Sequence, residues 1–321
     1  MSRVVVVGSF NLDHVWRSER IPVAGQTLAG SYDSGPGGKG FNQAMAACRA
    51  GADTVFVCAL GQDAGGELAR ALARADGIDL RDQASDAPTG TAGIFVDGEG
   101  RNCIVIGPGA NADLGTAHVE SQREAVEAAA VVLAQLESPS PSIESALRIA
   151  RAKGVTSVLN PAPANAPTTR EMLALADILT PNESEFAALI ARHTSMAIPA
   201  DAVATAGDEA LHLLCRTLHP AGTVVITLGA IGSFVSHADD GWRGDAASHY
   251  RVAAAPAQAI DTTGAGDAFN GALCASMALR PDALFEAHLR IASVYAARAT
   301  ENKGAALAMP HINLTTLFIA G

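Results

Sequence analysis

The sequence predicts an α/β fold: a central, mostly parallel sheet with helices on both faces, plus a small β-sheet lid. Three observations carry this. Short β-branched runs alternate with helix-period stretches, the pattern of βαβ units. Hydrophobic residues make up 49% of the 321 residues and charged residues 17%, the latter below the roughly 25% of an ordinary soluble chain, which suits a sheet buried on both faces. Two stretches, 11–35 and 91–106, break the rhythm and carry no helical period. The chain is therefore read as one α/β domain over 1–321, with those two stretches forming the lid.

Strands are expected at 3–9, 54–60, 131–136, 157–160, 177–180 and 223–228, each a run rich in Val, Ile or Leu. Between them, Leu68, Ala71, Leu72 and Ala75, then Ile143, Ala146, Leu147 and Ala150, then Leu211, Leu214, Cys215 and Leu218 recur at helical spacing. Gly51, Gly77 and Gly154 stand where a left-handed residue would stop a helix. Ser140 before Pro141 reads as an N-cap before a first-turn proline. Residues 91–97 and 102–106, joined through Gly98 and Gly100, read as a hairpin. Residues 194–207 read as a surface connector.

Several function classes drop out early. With 22 Lys and Arg against 33 Asp and Glu, the net charge of −11 argues against a nucleic-acid partner. No apolar run reaches the ~18 residues of a membrane span. The apolar start at Val4 to Val7 is too short for a secretory core. Cys48, Cys58, Cys103, Cys215 and Cys274 contain no C-x-x-C pair, which points to reduced thiols in a cytoplasmic protein. The nine histidines show no metal-binding spacing, and the glycosylation patterns at Asn182 and Asn313 carry no meaning without secretion.

The most informative segment is Asp261-Thr-Thr-Gly-Ala-Gly-Asp267, running into an apolar helical stretch. Gly264 and Gly266 allow backbone closed to other residues. With the helix behind them, Gly264, Ala265 and Gly266 offer N–H groups and a positive dipole end, a cradle for a phosphate. Asp267 falls in the first turn, where a carboxylate either caps the helix, the commoner use, or takes a proton from an attacking hydroxyl.

A second glycine cluster, Gly35-Pro-Gly-Gly-Lys-Gly40, imitates a dinucleotide fingerprint but lies too far beyond the first strand to be one. It also lacks the P-loop's first glycine and its hydroxyl residue. What remains is a turn with Gly38 and Lys39 opening a helix over 41–50, with Asn42 in its first turn. It is either a plain helix start or a site for polyol hydroxyls. Asn11 and Asp13 follow the first strand, and Glu137 follows the strand 131–136, where open α/β sheets bind ligands. Asn182 and Glu185 mark another strand-to-helix junction, and Thr227, Gly229 and Gly232 close a further strand.

These segments, with Gly8-Ser-Phe-Asn-Leu-Asp-His14, Gly107-Pro-Gly-Ala-Asn111, Gln135-Leu-Glu-Ser-Pro139 and Asn160-Pro-Ala-Pro-Ala164, closely resemble the ribokinase family of ATP-dependent sugar kinases over nearly the whole chain. The resemblance implies ATP-dependent phosphorylation of D-ribose at its 5-hydroxyl, giving ribose 5-phosphate and ADP. It implies that Asp267 is the base, that Gly264, Ala265 and Gly266 form the anion hole, and that Asn11, Asp13, Gly38, Lys39, Asn42 and Glu137 hold the sugar. It further implies that Asn182, Thr227, Gly229 and Gly232 line the nucleotide site and that Glu185 helps hold Mg2+ through water. A monovalent cation, K+ in this family, would be liganded by Asp261, Thr263, Ala299, Asn302 and Gly304.

Two positions depart from the family pattern. Ala308 stands where a hydroxyl residue completes the cation site, and Ser293 where a His or Asn is common near the adenine. A lid with one apolar face implies a homodimer. The rival acceptors are fructose or a nucleoside, for which Phe10, Trp16 and Phe95 could stack on a base. A non-catalytic sugar-binding relative would not require the intact Gly-Ala-Gly-Asp turn, and the misplaced glycines argue against a Rossmann oxidoreductase.

Overall fold

The computed structural model describes residues 2–238 and 244–314; the remaining parts of the 1–321 span lie outside the described residues. In chain order the strands are β1 Arg3–Val7, β2 Asn11–Arg17, β3 Ser31–Gly37, β4 Asp53–Gly61, β5 Asp79–Ser85, β6 Gly90–Val96 and β7 Asn102–Gly107. They continue with β8 Val131–Ala134, β9 Thr156–Leu159, β10 Ile178–Leu179, β11 Thr223–Thr227, β12 Gly232–Ser236 and β13 His249–Ala253. Nine form the main sheet, in the order β13-β12-β11-β10-β9-β8-β1-β4-β5. From β11 to β5 every pair is parallel, and β12 and β13 add an antiparallel edge.

Both faces of this sheet are covered. In β1, Val4 and Val6 join one core with helices Lys39–Arg49, Ala265–Leu279 and Phe285–Ala299, while Val5 and Val7 join the other with Ser140–Lys153, Glu183–His193 and Asp208–Leu218. All four valines are fully buried, each stabilising the fold by roughly 1.5–3 kcal/mol. This two-sided burial explains the low charged content and the unbroken apolar strands.

β1 is the switch point: the chain next fills β4 and β5 on one side, then β8 to β11 on the other. The carboxyl ends of β1 and β8 therefore flank a crevice, the place where such sheets take ligands. A second sheet, β3-β2-β6-β7, rises from that end, because β2 starts four residues after β1 ends. It contains the hairpin expected over 91–106, and residues 11–35 supply β2 and most of β3.

Several elements differ from the sequence expectation. β5, β12 and β13 were not foreseen, because polar residues interrupt their apolar runs; β5 and β13 are the two edges of the main sheet. The 194–207 connector contains a short helix, Ala200–Val203, whose Val203 is fully buried. Ser140 is the first helical residue rather than the N-cap; Pro139 takes that place without a side-chain bond. Helix Lys39–Arg49 begins two residues earlier than expected, which puts Lys39 itself in the first turn. Among the described residues, no helix is long and apolar enough to cross a membrane.

Candidate active site

Asp267 is the third residue of helix Ala265–Leu279, behind Gly264 at φ 76°. A capping aspartate would accept a bond from its own helix's N–H groups. This one does not. Its Oδ2 accepts from Asn42 Nδ2 at 2.8 Å and its Oδ1 from Gln43 Nε2 at 2.8 Å, both from helix Lys39–Arg49. Burial raises the Asp267 pKa; Lys39 and the bonds from Asn42 and Gln43 oppose this, and the net position stays above the ordinary value. A buried carboxylate aimed away from its own helix, with a raised pKa, is suited to receiving a proton.

A polar network underlies it. Gln43 Nε2 also donates to Asn160 Oδ1 at 3.1 Å, and Gln43 Oε1 accepts from Gln135. Asn160 Nδ2 donates to the Thr180 carbonyl at 2.9 Å, the Thr180 hydroxyl donates to Asn270 Oδ1, and Asn270 Nδ2 donates to the Gly266 carbonyl at 2.8 Å. The path closes on the turn that holds Asp267. Gln43, Gln135, Asn160, Thr180 and Asn270 all went unassigned from the sequence. The signal was a full set of polar residues inside otherwise apolar segments, and all five are buried.

On the other side of Asp267, the residues expected to hold a sugar converge. Glu137 Oε2 accepts from Ser9 Oγ at 2.6 Å and from the Lys39 backbone N–H at 3.0 Å, so Glu137 caps the helix for which Gly38 supplies no side-chain cap. Asn42 Oδ1 is buried without a hydrogen-bond partner among the described residues. Leaving such an atom unpaired costs about 1–3 kcal/mol, and a ligand hydroxyl would satisfy it. Asn11 Oδ1 accepts from Asn111 Nδ2 at 2.8 Å, and Asn111 also binds the Phe10 N–H and carbonyl. Asn111 is a further residue without an assigned role in the sequence reading.

Electrostatics tie these groups together. Burial alone would lower the Lys39 value, but Asp267, Glu137, Glu185 and Asp13 outweigh it and hold the ammonium above its ordinary range. Asp13 is raised to about 7 by burial, then by Glu137 and Asp267, against the pull of Lys39. Four carboxyl groups around one lysine give this site an excess of acidic groups, which disfavours a polyphosphate unless positive charge accompanies it.

The expected nucleotide residues gather at neighbouring strand ends. Asn182, beyond β10, forms a parallel bridge with Thr227, the last residue of β11, with Gly229 at φ 54° and Gly232 at φ 115° following. Asn182 caps helix Glu183–His193: its Oδ1 accepts from the Glu185 N–H at 2.9 Å, and Glu185 Oε2 accepts from the Asn182 N–H at 2.8 Å. Burial leads the upward shift of Glu185, opposed by the Asn182 N–H and Lys39. Ser293 Oγ accepts from the Ala255 N–H at 2.9 Å, an internal role for that departure from the family pattern.

The expected cation residues lie on two segments, one before helix Ala265–Leu279 and one at the end of helix Phe285–Ala299, joined through Gly304 and Asp261. Asp261 Oδ1 accepts from the Thr263 N–H and hydroxyl at 2.9 and 2.6 Å, and its Oδ2 from the Gly304 N–H at 3.0 Å. Asn302 donates its N–H to the Ala299 carbonyl at 3.3 Å. Ala308 is buried in the turn Ala306–Ala308 and brings only a methyl group. Among the described residues no group of three His, Cys, Asp or Glu could hold a metal.

The expected stacking residues are placed elsewhere. Phe10 is fully buried and packs edge-on against Phe41, so it cannot meet a base. Trp16 stacks on Phe95 at 5.2 Å, and along β2 it alternates with Asp13, which puts both rings on the sheet face opposite Asp13.

A profile described as pfkB family carbohydrate kinase matches residues 1–312. The chain belongs to that family. It is 36% identical to the ribokinase of Haemophilus influenzae, over 98% of each chain. It is 37% identical to the bifunctional ribokinase/ribose-5-phosphate isomerase A of Fructilactobacillus sanfranciscensis, of whose length it spans 52%. The structure of Arabidopsis thaliana ribokinase complexed with ribose and ATP superposes with a TM-score of 0.81 at 29% identity, covering 98% of this chain and 97% of that one. As a pfkB carbohydrate kinase, the chain has a reason to place a raised-pKa carboxylate beside a glycine turn: phosphoryl transfer needs alignment and charge stabilisation more than covalent chemistry.

Proposed function

We propose that this carbohydrate kinase transfers the γ-phosphoryl group of ATP to the 5-hydroxyl of D-ribose, giving ribose 5-phosphate and ADP. The single observation that carries the catalytic part is the orientation of Asp267, hydrogen-bonded by Asn42 and Gln43 instead of its own helix. The acceptor follows from the similarity to ribokinases and from the small polar pocket of Asn11, Asp13, Gly38, Lys39, Asn42 and Glu137.

In this reading the sugar's hydroxyls bind Asp13, the unpaired Asn42 Oδ1 and Glu137. The 5-hydroxyl lies against Asp267, which accepts its proton as the oxygen attacks. The N–H groups of Gly264, Ala265 and Gly266, at the positive end of helix Ala265–Leu279, bind the phosphoryl oxygens as their charge grows. Asn182, Thr227, Gly229 and Gly232 hold the nucleotide. When bound, Mg2+ supplies the positive charge this acidic site lacks, and Glu185, through a water, is the residue to hold it. Asp261, Thr263, Ala299, Asn302 and Gly304 would hold K+. With Ala308 contributing no oxygen, K+ is a weaker activator than a complete site would make it.

The second sheet is the lid. Its Asp13 face closes over the sugar and excludes water, which would otherwise take the phosphoryl group. Its other face, with Trp16 40% and Tyr32 55% exposed, is the surface on which a second copy docks to form the homodimer. The five cysteines, all free, agree with a cytoplasmic protein.

A nucleoside acceptor is disfavoured by the placement of Phe10, Trp16 and Phe95 away from the Asp13 face. The test is ADP release from ATP and Mg2+ over a panel of ribose, deoxyribose, fructose and nucleosides. Ribose-dependent turnover exceeding all others is expected; selective turnover of a nucleoside or fructose overturns the acceptor, and none with any acceptor overturns the kinase reading.

A further inference from the structure

Arg49 lies at the far end of helix Lys39–Arg49 from Lys39, Asn42 and Gln43. Its side chain is only 9% exposed and pairs with Asp76, 8% exposed. Nε and Nη2 meet the two Asp76 oxygens at 2.7 and 3.1 Å. Nη1 turns the other way, 2.8 Å from the Met309 carbonyl, 3.2 Å from that of Leu307 and 3.5 Å from that of Ala306. These carbonyls lie at the negative end of the turn Ala306–Ala308, where a cation is favoured. Beyond it, Ile312 donates its N–H to the Arg49 carbonyl at 3.1 Å and Leu314 to that of Ala50 at 2.9 Å, so the segment is laced to the end of the helix.

The opposite side of the same segment supports the glycine turn. A Cβ added to Gly264 would meet Ala305 Cβ at 3.1 Å and Met309 Cε at 3.5 Å, so the left-handed residue that opens the anion hole lies close against the segment whose Ala306, Leu307 and Met309 carbonyls Arg49 binds. We propose that Arg49 is a positioning residue for phosphoryl transfer: its guanidinium, steadied by Asp76, holds the 305–309 segment against Gly264 and so fixes the N–H groups of Gly264, Ala265 and Gly266. A planar guanidinium can bind a carboxylate on one edge and carbonyls on another at once, which an ammonium cannot reproduce. Removing one partner of a buried ion pair is destabilising, so kcat is compared per folded molecule. The inference rests on the proposed role of the glycine turn.

The experiment compares wild type with Arg49→Ala and Arg49→Lys at saturating ribose and ATP, per folded molecule, alongside ribose affinity by calorimetry. Arg49→Ala is expected to lose roughly 10- to 100-fold in kcat, the scale of a small misplacement of catalytic groups, with ribose affinity unchanged. Guanidinium ion below denaturing concentration should restore part of that loss in Arg49→Ala and none in wild type. Arg49→Lys should also lose kcat, and it carries the test if Arg49→Ala does not fold. Wild-type kcat in a folded Arg49 variant overturns the proposal, whatever its melting temperature. Asp267→Asn keeps the two readings apart. If it is inactive while the Arg49 variants are fully active, only the Arg49 role falls; if it is active, the reading of the site falls first.

Discussion

Helices Glu183–His193 and Ala265–Leu279 both carry an acidic residue at the third position of their first turn, Glu185 in one and Asp267 in the other. Their fates differ. Glu185 turns back on its own N-terminus and completes a capping box with Asn182. Asp267 has only Gly264 before its helix, so no side chain competes for the N–H groups of the first turn, of which that of Ala265 donates to the Thr262 carbonyl at 3.1 Å, and its carboxylate points to Asn42 and Gln43 on another helix. The difference lies in the N-cap residue. An asparagine closes a helix end and ties one oxygen of the following acid to that end, whereas a glycine leaves the end open for an anion and turns the acid outward.

The largest expected effect breaks this pair at its catalytic member. Asp267→Asn should lower kcat by roughly 10²–10⁴-fold, the usual contribution of a positioned base, with ribose affinity retained in calorimetry. Next is Gly264→Ala, which puts a side chain on a residue at φ 76° against Ala305. It should lower kcat and destabilise the fold by about 1–2 kcal/mol, read by denaturant titration. Gln43→Ala removes a bond that favours the ionised form of Asp267. Its kcat should fall about tenfold, or ~1.4 kcal/mol in activation energy, and the acid limb of its pH profile should move to higher pH. An unmoved acid limb would mean that Gln43 does not tune the base.

Asp13 sharpens the comparison from the lid side, since its shift reflects crowding by Glu137 and Asp267 as well as burial. With its folded value at about 7 and its ordinary value at 3.8, the unfolded chain releases this proton first. The ligand-free protein is therefore stabilised by this group at pH below the ordinary value, and that contribution is lost as pH rises through the folded one. Melting curves of wild type against Asp13→Asn should diverge across that window, with wild type the one that declines. The smallest effect belongs to the cap: Asn182→Ala should destabilise the fold by about 1 kcal/mol, without the collapse of kcat expected of Asp267→Asn.

Much of this was legible in the sequence, for reasons particular residues make clear. The main sheet announced itself because both faces are buried, so runs such as Val4 to Val7 are unbroken. Asp267 could be located because Gly264 and Gly266 precede an apolar helix, but its choice between cap and base could not be read locally. That choice depends on Asn42 and Gln43, more than 200 residues away in sequence. Gln43, Asn160 and Asn270 were missed because a buried polar residue has no periodic signature; only its partners, brought in by the fold, give it meaning. Whether Trp16 and Phe95 could stack on a base was left open in the sequence because no bounds for β2 could be drawn within 11–35, and strand alternation decides which face the Trp16 ring shares with Phe95.

The account's central claim is that Asp267 receives the proton of the ribose 5-hydroxyl while the glycine turn holds the transferred group. The most direct measurement is phosphorus NMR of the product formed by the wild-type protein from ribose, ATP and Mg2+. The account predicts phosphate on the 5-hydroxyl, with one ADP for each sugar phosphate formed. Phosphate on another hydroxyl, or ADP accumulating with inorganic phosphate and no sugar ester, would contradict it.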